Sequence, residues 1–324
     1  MIVVTGAAGF IGSVFVGALN AAGRDDLLLV DDFSRAERAG HLAGKRFAEQ
    51  IHRDELPSLL SRLTQSSTRV DAVFHLGAHT DTAEPDAAIF ERLNLRPSKR
   101  LWTFCARERL PFIYASSAST YGDGALGYED RHDVVEALEP LNPYAQSKQD
   151  FDRWALRQNE RPPFWAGLKF FNVYGPNEEH KGRMASVVLH AFRQISESGV
   201  MKLFRSHRDD VADGEQARDF VYVGDVCAVM LWLWRERPAS GLYNVGTGTA
   251  RTFADLARPV FRAMGQEERI DYVDTPAEIR GSYQYYTRAD MRKLRRAGYS
   301  AAPTSLEAGV EEYVTRYLVP AVSC

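Results

Sequence analysis

Hydrophobic positions in the first half of the chain come in short, β-branched runs. Between them lie longer stretches in which apolar residues recur every three or four positions. Short apolar runs bounded by small or polar residues read as buried strands, and the longer recurrence reads as amphipathic helix. On that pattern strands are expected at 2–5, 27–30, 72–76, 112–116 and 165–171, with a further one ahead of Asp54. Helices are expected at 10–22, 98–109 and 144–158. Strands alternating with helices build a parallel sheet covered on both faces. The fold class expected is α/β, a Rossmann-type doubly wound parallel sheet, with ligands at the strand ends.

The alternation weakens after Gly175-Pro176. A helix is expected at 184–198, a short strand at 202–204, and a polar loop at 205–216. Residues 220–223 and a helix from Asp225 return to the sheet. Helices at 253–264, 289–297 and 305–317 complete a smaller lobe. The division expected is a sheet domain of 1–171 plus about 217–247, and a mixed α/β substrate-binding lobe of 172–216 plus 248–324. The lobe closes a cleft over the strand ends.

Composition narrows the class. Lys+Arg number 40 against Asp+Glu 43, so the basic excess of a nucleic-acid binder is missing. Cys105, Cys227 and Cys324 are odd in number and far apart, which indicates neither a disulfide framework nor a zinc site; no metal is expected. No apolar run approaches the ~20 residues that cross a bilayer, and residues 1–4 run straight into a glycine motif, leaving no room for a signal peptide. A cytoplasmic protein without membrane or nucleic-acid partners is expected.

Val3-Val4-Thr5-Gly6-Ala7-Ala8-Gly9-Phe10-Ile11-Gly12 carries glycines at 6, 9 and 12 directly after the first strand. Gly6 suits the tight turn, Gly9 lets backbone approach a pyrophosphate, and Gly12 lets helix pack close to strand. The helix N-terminus offers N–H groups to phosphate. A glycine triplet alone is weak evidence. Here a strand precedes it, an amphipathic helix follows, and the next strand ends in Asp31-Asp32, near the ~20-residue offset of a ribose-binding acid. The sheet domain is therefore expected to bind a dinucleotide. Asp31 alone favours NAD, whereas Arg35 and Arg38 could pair with a 2′-phosphate and favour NADP. Asp54 is a candidate for the adenine amine or an ordinary surface residue.

Tyr144 and Lys148 are four apart on an expected helix and share a face. A tyrosine can take the proton of an alcohol undergoing hydride transfer if a nearby ammonium favours its phenolate. A YxxxK pair is common by chance and gains meaning from its company. That company is Tyr114-Ala115-Ser116-Ser117-Ala118-Ser119-Thr120-Tyr121-Gly122, a hydroxyl-rich strand end placed to bond a reacting oxygen. Turn and cap chemistry accounts for some of these serines.

The order of motifs resembles the extended short-chain dehydrogenase/reductase family along nearly the whole chain. The resemblance rests on TGAAGFIGS at the start, FHLGA ending at Ala78, FIYASSASTYG around Ser117, PLNPYAQSK around Tyr144 and FFNVYGP at Asn172. HKGRMASV at 180–187, ARDFVYVGDV at 217–226 and YNVGTG at 243–248 make the chain most similar to the ADP-heptose 6-epimerases of that family. The resemblance implies inversion at C6 of an ADP-heptose by transient oxidation and re-reduction on tightly bound, recycled NADP. It implies Ser117, Tyr144 and Lys148 as the catalytic group and Lys181 as a second acid/base; without it, Lys181 reads as a surface lysine. It implies cofactor contacts from Phe10, Ile11, Asp32, Arg38, Gly77, Ala78 and Asn94. It places the substrate nucleotide and diphosphate near Asn172, His190, Phe204, Arg205, Arg218 and Tyr283. It also implies a homo-oligomer.

Ordinary readings stand beside these. His190 equally suits a helix core, Arg218 an ion pair with Asp219, and Tyr283 a packing cluster with Tyr285 and Tyr286. Departures from the family pattern are Leu76, His79, Lys169-Phe170 and a long 124–139 segment. An epimerase on a related nucleotide sugar (a 4-epimerase, or one acting on a modified heptose) and a dinucleotide-binding protein without catalysis are the competing readings. A dehydratase would want an acidic group where Ser117-Ala118-Ser119 stands.

Overall fold

The computed structural model describes residues 1–65, 68–280 and 284–322, apart from the side chains of Glu278, Ile279 and Val322. Six strands open the chain's regular structure: β1 (Ile2–Thr5), β2 (Leu27–Asp31), β3 (Glu49–His52), β4 (Ala72–His75), β5 (Phe112–Ser117) and β6 (Trp165–Phe170). Four short strands follow, β7 (Asn172–Tyr174), β8 (Met201–Phe204), β9 (Ala217–Arg218) and β10 (Phe220–Tyr222), before β11 (Gly241–Val245). The last two are β12 (Arg251–Thr252) and β13 (Ile270–Val273). The main sheet runs β3-β2-β1-β4-β5-β6-β11, and every neighbouring pair in it is parallel. Strand order reverses between β1 and β4, which opens a crevice at their C-terminal ends.

The first eight helices are α1 (Phe10–Ala21), α2 (Leu56–Gln65), α3 (Ala87–Phe90), α4 (Arg96–Arg107), α5 (Pro143–Arg157), α6 (Val187–Ser198), α7 (Val223–Glu236) and α8 (Phe253–Ala263). The short α9 (Ala277–Arg280) and α10 (Arg292–Arg296) precede α11 (Leu306–Tyr313) and α12 (Val319–Val322). Alternate side chains of a strand point to opposite faces. Ile2, Val4, Leu27, Leu29 and Phe74 thus meet α1 and α7 on one face. Val3, Leu28, Val30 and Val73 meet Leu101 and Trp102 of α4 and Phe151 of α5 on the other. Burial on both faces explains why these strands are continuously apolar. Each such side chain contributes roughly 1.5–3 kcal/mol. The first face continues without a break into the later helices, through Leu189 and Phe192 of α6, Leu256 and Val260 of α8, and Val310 of α11. No described helix is long and apolar enough to cross a membrane.

Several boundaries differ from the periodicity, and caps explain most of them. The helix expected at 184–198 starts at Val187, because the Ser186 hydroxyl accepts the Leu189 N–H and Gly182 breaks the preceding 3₁₀ turn, Glu179–Met184, at φ 53°. The helix expected from 98 starts at Arg96 with Pro97 in its first turn, after a π turn at Glu91–Leu95. The helix expected at 289–297 shrinks to Arg292–Arg296, and the last one passes into a π turn at Val314–Leu318. β7, β9, β11, β12 and β13 were not expected. β7 and β13 pair in parallel with β10 and β8, and β11 adds the seventh strand of the main sheet beside β6.

Candidate active site

The crevice between β1 and β4 is a cleft of about 680 Å³. Its floor is the β1–α1 turn. Gly6 has φ +69°, and a Cβ there would lie 2.5 Å from the Gly77 backbone nitrogen, so the two strand-end turns touch. A Cβ on Gly12 would lie 2.0 Å from the Gly6 carbonyl oxygen, so α1 packs directly on the turn. Both glycines therefore serve close packing of turn on turn and helix on turn, and the first turn of α1 points its free N–H groups into the cleft that Gly6, Gly9 and Gly12 line. Gly6, Gly9, Phe10, Ile11, Gly12, Asp31, Arg38, Gly77 and Ala78 all line the cleft, together with Arg35 and Asp54.

The two aspartates ending β2 separate. Asp31 lines the cleft and accepts the Ala8 N–H at 2.8 Å and the Asp32 N–H at 2.7 Å. Asp32 turns toward Ser34, Arg35 at 3.2 Å and Arg53 at 3.1 Å, and is absent from the lining. The Ser34 hydroxyl, with Arg35 and Arg53, holds the Asp32 carboxyl well below the usual carboxylate range despite its burial. Arg38 lies 3.5 Å from Asp31, and its Nε is buried without a partner among the described residues. Asn94 also lies behind the lining. Its amide accepts the His79 N–H at 2.8 Å and donates to the His79 carbonyl and the Ser147 hydroxyl. Ser147 in turn donates to the Tyr144 carbonyl at 2.7 Å. Asn94 thus braces the cleft wall to the start of α5.

Ser117 closes β5 and caps the Ala118–Tyr121 turn, accepting the Ser119 N–H. Asn142 caps α5 by accepting the Ala145 N–H at 2.9 Å, which fixes Tyr144 in the first turn. Burial raises the Tyr144 phenol above its ordinary value, and the hydrogen-bonded Ser117 hydroxyl offsets part of that. Lys148 donates to the Ala115 carbonyl at 2.9 Å. Burial pushes its ammonium down to about 8, against the opposing pull of Asp152. Ser117, Tyr144 and Lys148 are therefore brought together, while the cleft lining reaches them through His79 and Phe90. Those two rings lie 5.3 Å apart, and Phe90 lies 6.3 Å from the Tyr144 ring.

Lys181 is on the 3₁₀ turn before α6. It lines the cleft, and its Nζ lies 5.5 Å from the centre of the Phe10 ring. Burial lowers its ammonium from the ordinary lysine value, and the Glu178 carboxylate opposes the shift. Neighbours strap this turn across the cleft. Asn177 donates to Ser13 at 2.9 Å, Arg183 pairs with Asp81 at 2.8 Å, and the His180 and His41 rings lie 5.0 Å apart.

The expected substrate residues are less uniform. Asn172 is exposed at the start of β7. His190 is half-buried on α6, with Nε2 3.3 Å from the Arg183 carbonyl. Phe204 ends β8, and Arg205 beside it pairs with Asp213 at 3.2 Å. Arg218 is buried, donates to the Ala217 and Gln284 carbonyls, and lies over the Phe253 ring. Its neighbour Asp219 instead accepts N–H groups of Thr247, Gly248 and Ala289, and so organises the YNVGTG turn. Tyr283 lies outside the described residues. Sequence reading missed His75, which bridges Thr5 at 2.6 Å and Ser98 at 2.9 Å beneath the cleft, and the lining arginines Arg92, Arg96 and Arg100. The arginines follow a four-residue spacing that reads as an ordinary solvated helix face.

Residues 2–246 match the model of the NAD dependent epimerase/dehydratase family. The chain is 49% identical to an ADP-L-glycero-D-manno-heptose-6-epimerase of Nitratidesulfovibrio vulgaris, over 99% of each chain. It is 44% identical to the protein of that name from Fusobacterium nucleatum, over 98% of each. Among solved structures, the ADP-L-glycero-D-manno-heptose-6-epimerase of Helicobacter pylori superposes with a TM-score of 0.79 at 26% identity, covering 100% of this chain and 96% of that one. The UDP-glucose 4-epimerase of Thermotoga maritima, solved with UDP-glucose, superposes with a TM-score of 0.78 at 26% identity, covering 99% of each. With a dinucleotide cleft at the β1–β4 crossover and a Ser-Tyr-Lys trio beside it, the chain belongs to the NAD-dependent epimerase/dehydratase family.

Proposed function

We propose that the chain converts ADP-D-glycero-D-manno-heptose to ADP-L-glycero-D-manno-heptose on a retained NADP. Lys181 is the observation that carries this reading. It is a second proton-carrying side chain, half-buried at the dinucleotide cleft and separate in the chain from Tyr144. Inverting a carbinol takes hydride from one face and returns it to the other, so the oxygen can occupy different places before and after, and two proton-transfer groups serve it better than one. The full-length likeness to proteins named as ADP-heptose 6-epimerases supports the sugar.

In this reading Tyr144 takes the hydroxyl proton of one epimer. Lys148 favours the phenolate, since an ammonium with its proton affinity held near 8 is mostly charged at neutral pH. Ser117 hydrogen-bonds the reacting oxygen. Lys181 serves the other epimer, after the ketone has turned in the site. The dinucleotide, when bound, takes up and returns the hydride at C6. The backbone of Gly6, Gly9, Phe10, Ile11 and Gly12 would hold its pyrophosphate and Asp31 its ribose; their shared place on the cleft lining and the unpartnered Arg38 Nε fit such a group. The strap joining Asp81 to Arg183 supports retention between the two half-reactions.

The test is an NMR time course with ADP-D-glycero-D-manno-heptose in D₂O and no added reductant. The expected product is the L-glycero epimer with no deuterium at C6, because hydride leaves and returns without meeting solvent. Deuterium at C6 would point to carbon deprotonation instead. No conversion by cofactor-loaded protein would refute the heptose assignment.

Arg38 is the proposed partner of the 2′-phosphate. A hydrogen bond to a charged group contributes about 1.5–3 kcal/mol, so Arg38→Ala should weaken NADP binding roughly 10- to 100-fold and leave NAD nearly unchanged. Calorimetry with both cofactors decides this. Equal losses for the two would remove Arg38 from that role.

A further inference from the structure

Behind the Ser117–Tyr144–Lys148 trio lies a polar cluster with no part in the steps above. The side chains of Asp152 and Lys169 are 0% and 1% exposed, and Lys169 Nζ lies 2.8 Å from Asp152 Oδ2. Tyr114 donates its hydroxyl to Oδ1 at 2.9 Å, and Ser116 donates to Oδ2 at 2.7 Å. Lys169 also donates to the Thr120 hydroxyl at 2.6 Å and lies 5.1 Å from the centre of the Tyr121 ring. Three donors thus converge on one carboxylate. Tyr114 and Ser116 belong to β5, which ends in Ser117. Thr120 and Tyr121 belong to the turn that Ser117 caps. Asp152 lies one helical turn beyond Lys148 and two beyond Tyr144, on one face of α5.

A buried ion pair is a poor stabiliser, because desolvating two charges consumes most of their attraction; apolar replacements of similar volume are often as stable. Placement at the junction of every element bearing the trio suggests another use. We propose that Asp152, paired with Lys169, is a positioning residue: its carboxylate keeps the Lys148 ammonium charged and locks the Ser117 turn against α5. This rests on reading Lys148 as the electrostatic partner of Tyr144.

The groups around the two sites leave that task to Asp152. Lys148 faces Tyr144 on its own helix and His75 on β4, and burial pushes the His75 imidazole down to about 3, so it carries no charge at neutral pH. Asp152 faces Tyr114 on β5, Lys169 on β6, Tyr121 on the turn, and His132, which burial pushes down to about 4. The negative charge that opposes the burial of Lys148 is that of Asp152. Lys169 approaches the carboxylate from β6 and bonds Thr120 on its far side, so the acidic end of the pair is the one carried on α5 with Lys148.

The test uses cofactor-loaded protein with ¹³C-labelled lysine. NMR follows the titration of Lys148, identified as the resonance lost in Lys148→Met. Asp152→Asn would strand a buried ammonium and risks unfolding, so the decisive variant is Asp152→Asn/Lys169→Met, which removes both charges at similar volume. Against the single variant Lys169→Met, in which the carboxylate keeps its charge without its partner, the Lys148 titration of the double variant should fall by about one pH unit, the alkaline limb of turnover should move down with it, and turnover at pH 8 should drop about fivefold. Asp152→Glu should keep the wild-type titration. A folded, cofactor-loaded double variant whose Lys148 titrates as it does in Lys169→Met overturns the proposal. The NMR titration needs no sugar, so an enzyme inactive on ADP-heptose would refute the function above and still decide this point.

Discussion

Tyr144→Phe should cost epimerisation roughly a hundredfold to ten-thousandfold, the usual worth of a general acid or base, and Lys181→Met should cost about the same. Phe keeps the ring that packs 6.3 Å from Phe90 and removes only the hydroxyl that bonds Ser117. Met keeps a stem of similar length and removes the Nζ that lies 5.5 Å from the centre of the Phe10 ring. Both variants should therefore retain their fold and their cofactor, checked by melting temperature and by cofactor released on denaturation. The sharper readout is which epimer reduces the cofactor. If each group serves one configuration, each variant still oxidises the epimer whose proton goes to the surviving group. Reduced cofactor should then accumulate from the D-glycero epimer in one variant and from the L-glycero epimer in the other. Two fully active variants, or two that favour the same epimer, would refute a two-base reaction. Rapid mixing with each epimer, followed by the absorbance of the reduced cofactor, distinguishes these outcomes.

The sheet and the dinucleotide cleft were legible in the sequence because both rest on local rules. Strands buried on two faces need unbroken apolar runs, as in Ile2–Thr5 and Leu27–Asp31. A helix packed directly on a strand-end turn needs glycine where a Cβ would collide with backbone, and Gly6 and Gly12 fall at those places. That Tyr144 and Lys148 share one helix was legible for the same reason, since one helical turn joins them. What escaped depends on contacts distant in the chain. Asp32 turns from the cleft toward Ser34 and Arg35 nearby and toward Arg53, a residue of the turn after β3 that its own segment does not announce. Asn94 read as a cofactor contact, yet its amide is committed to His79 and Ser147. The Asp152–Lys169 pair spans two elements, and in the sequence Lys169 stood out only as a departure from a family pattern. Lys181 was the hardest case. Its place at the cleft is set beside the ring of Phe10, which is 171 positions away and has no local signature.

Gly12→Ala should strip the protein of its cofactor, although it adds a single methyl group. The new Cβ would lie 2.0 Å from the Gly6 carbonyl oxygen, 2.8 Å from its carbon and 3.1 Å from the Ala7 Cα. All three are backbone atoms, so no side chain can rotate away. The Gly6 turn has little room to retreat, because it already abuts Gly77. Helix α1 must therefore move off β1, and the N–H groups of its first turn leave the phosphate position. Overpacking of this kind costs about 1–3 kcal/mol in stability. Loss of aligned, charge-assisted hydrogen bonds to the pyrophosphate should weaken dinucleotide binding by roughly 100-fold or more. The control lies on the same helix. A Cβ on Gly17 would meet only the flexible end of Lys45, at 3.4 Å. Gly17→Ala should instead stabilise the protein by about 0.5–1 kcal/mol, since alanine loses less backbone freedom in a helix than glycine. Cofactor content after purification and melting temperature, measured on both variants, separate the two effects. A Gly12→Ala protein with full cofactor content would mean that α1 can shift without disturbing the phosphate site, and the close packing of helix on turn would then not be what positions the dinucleotide.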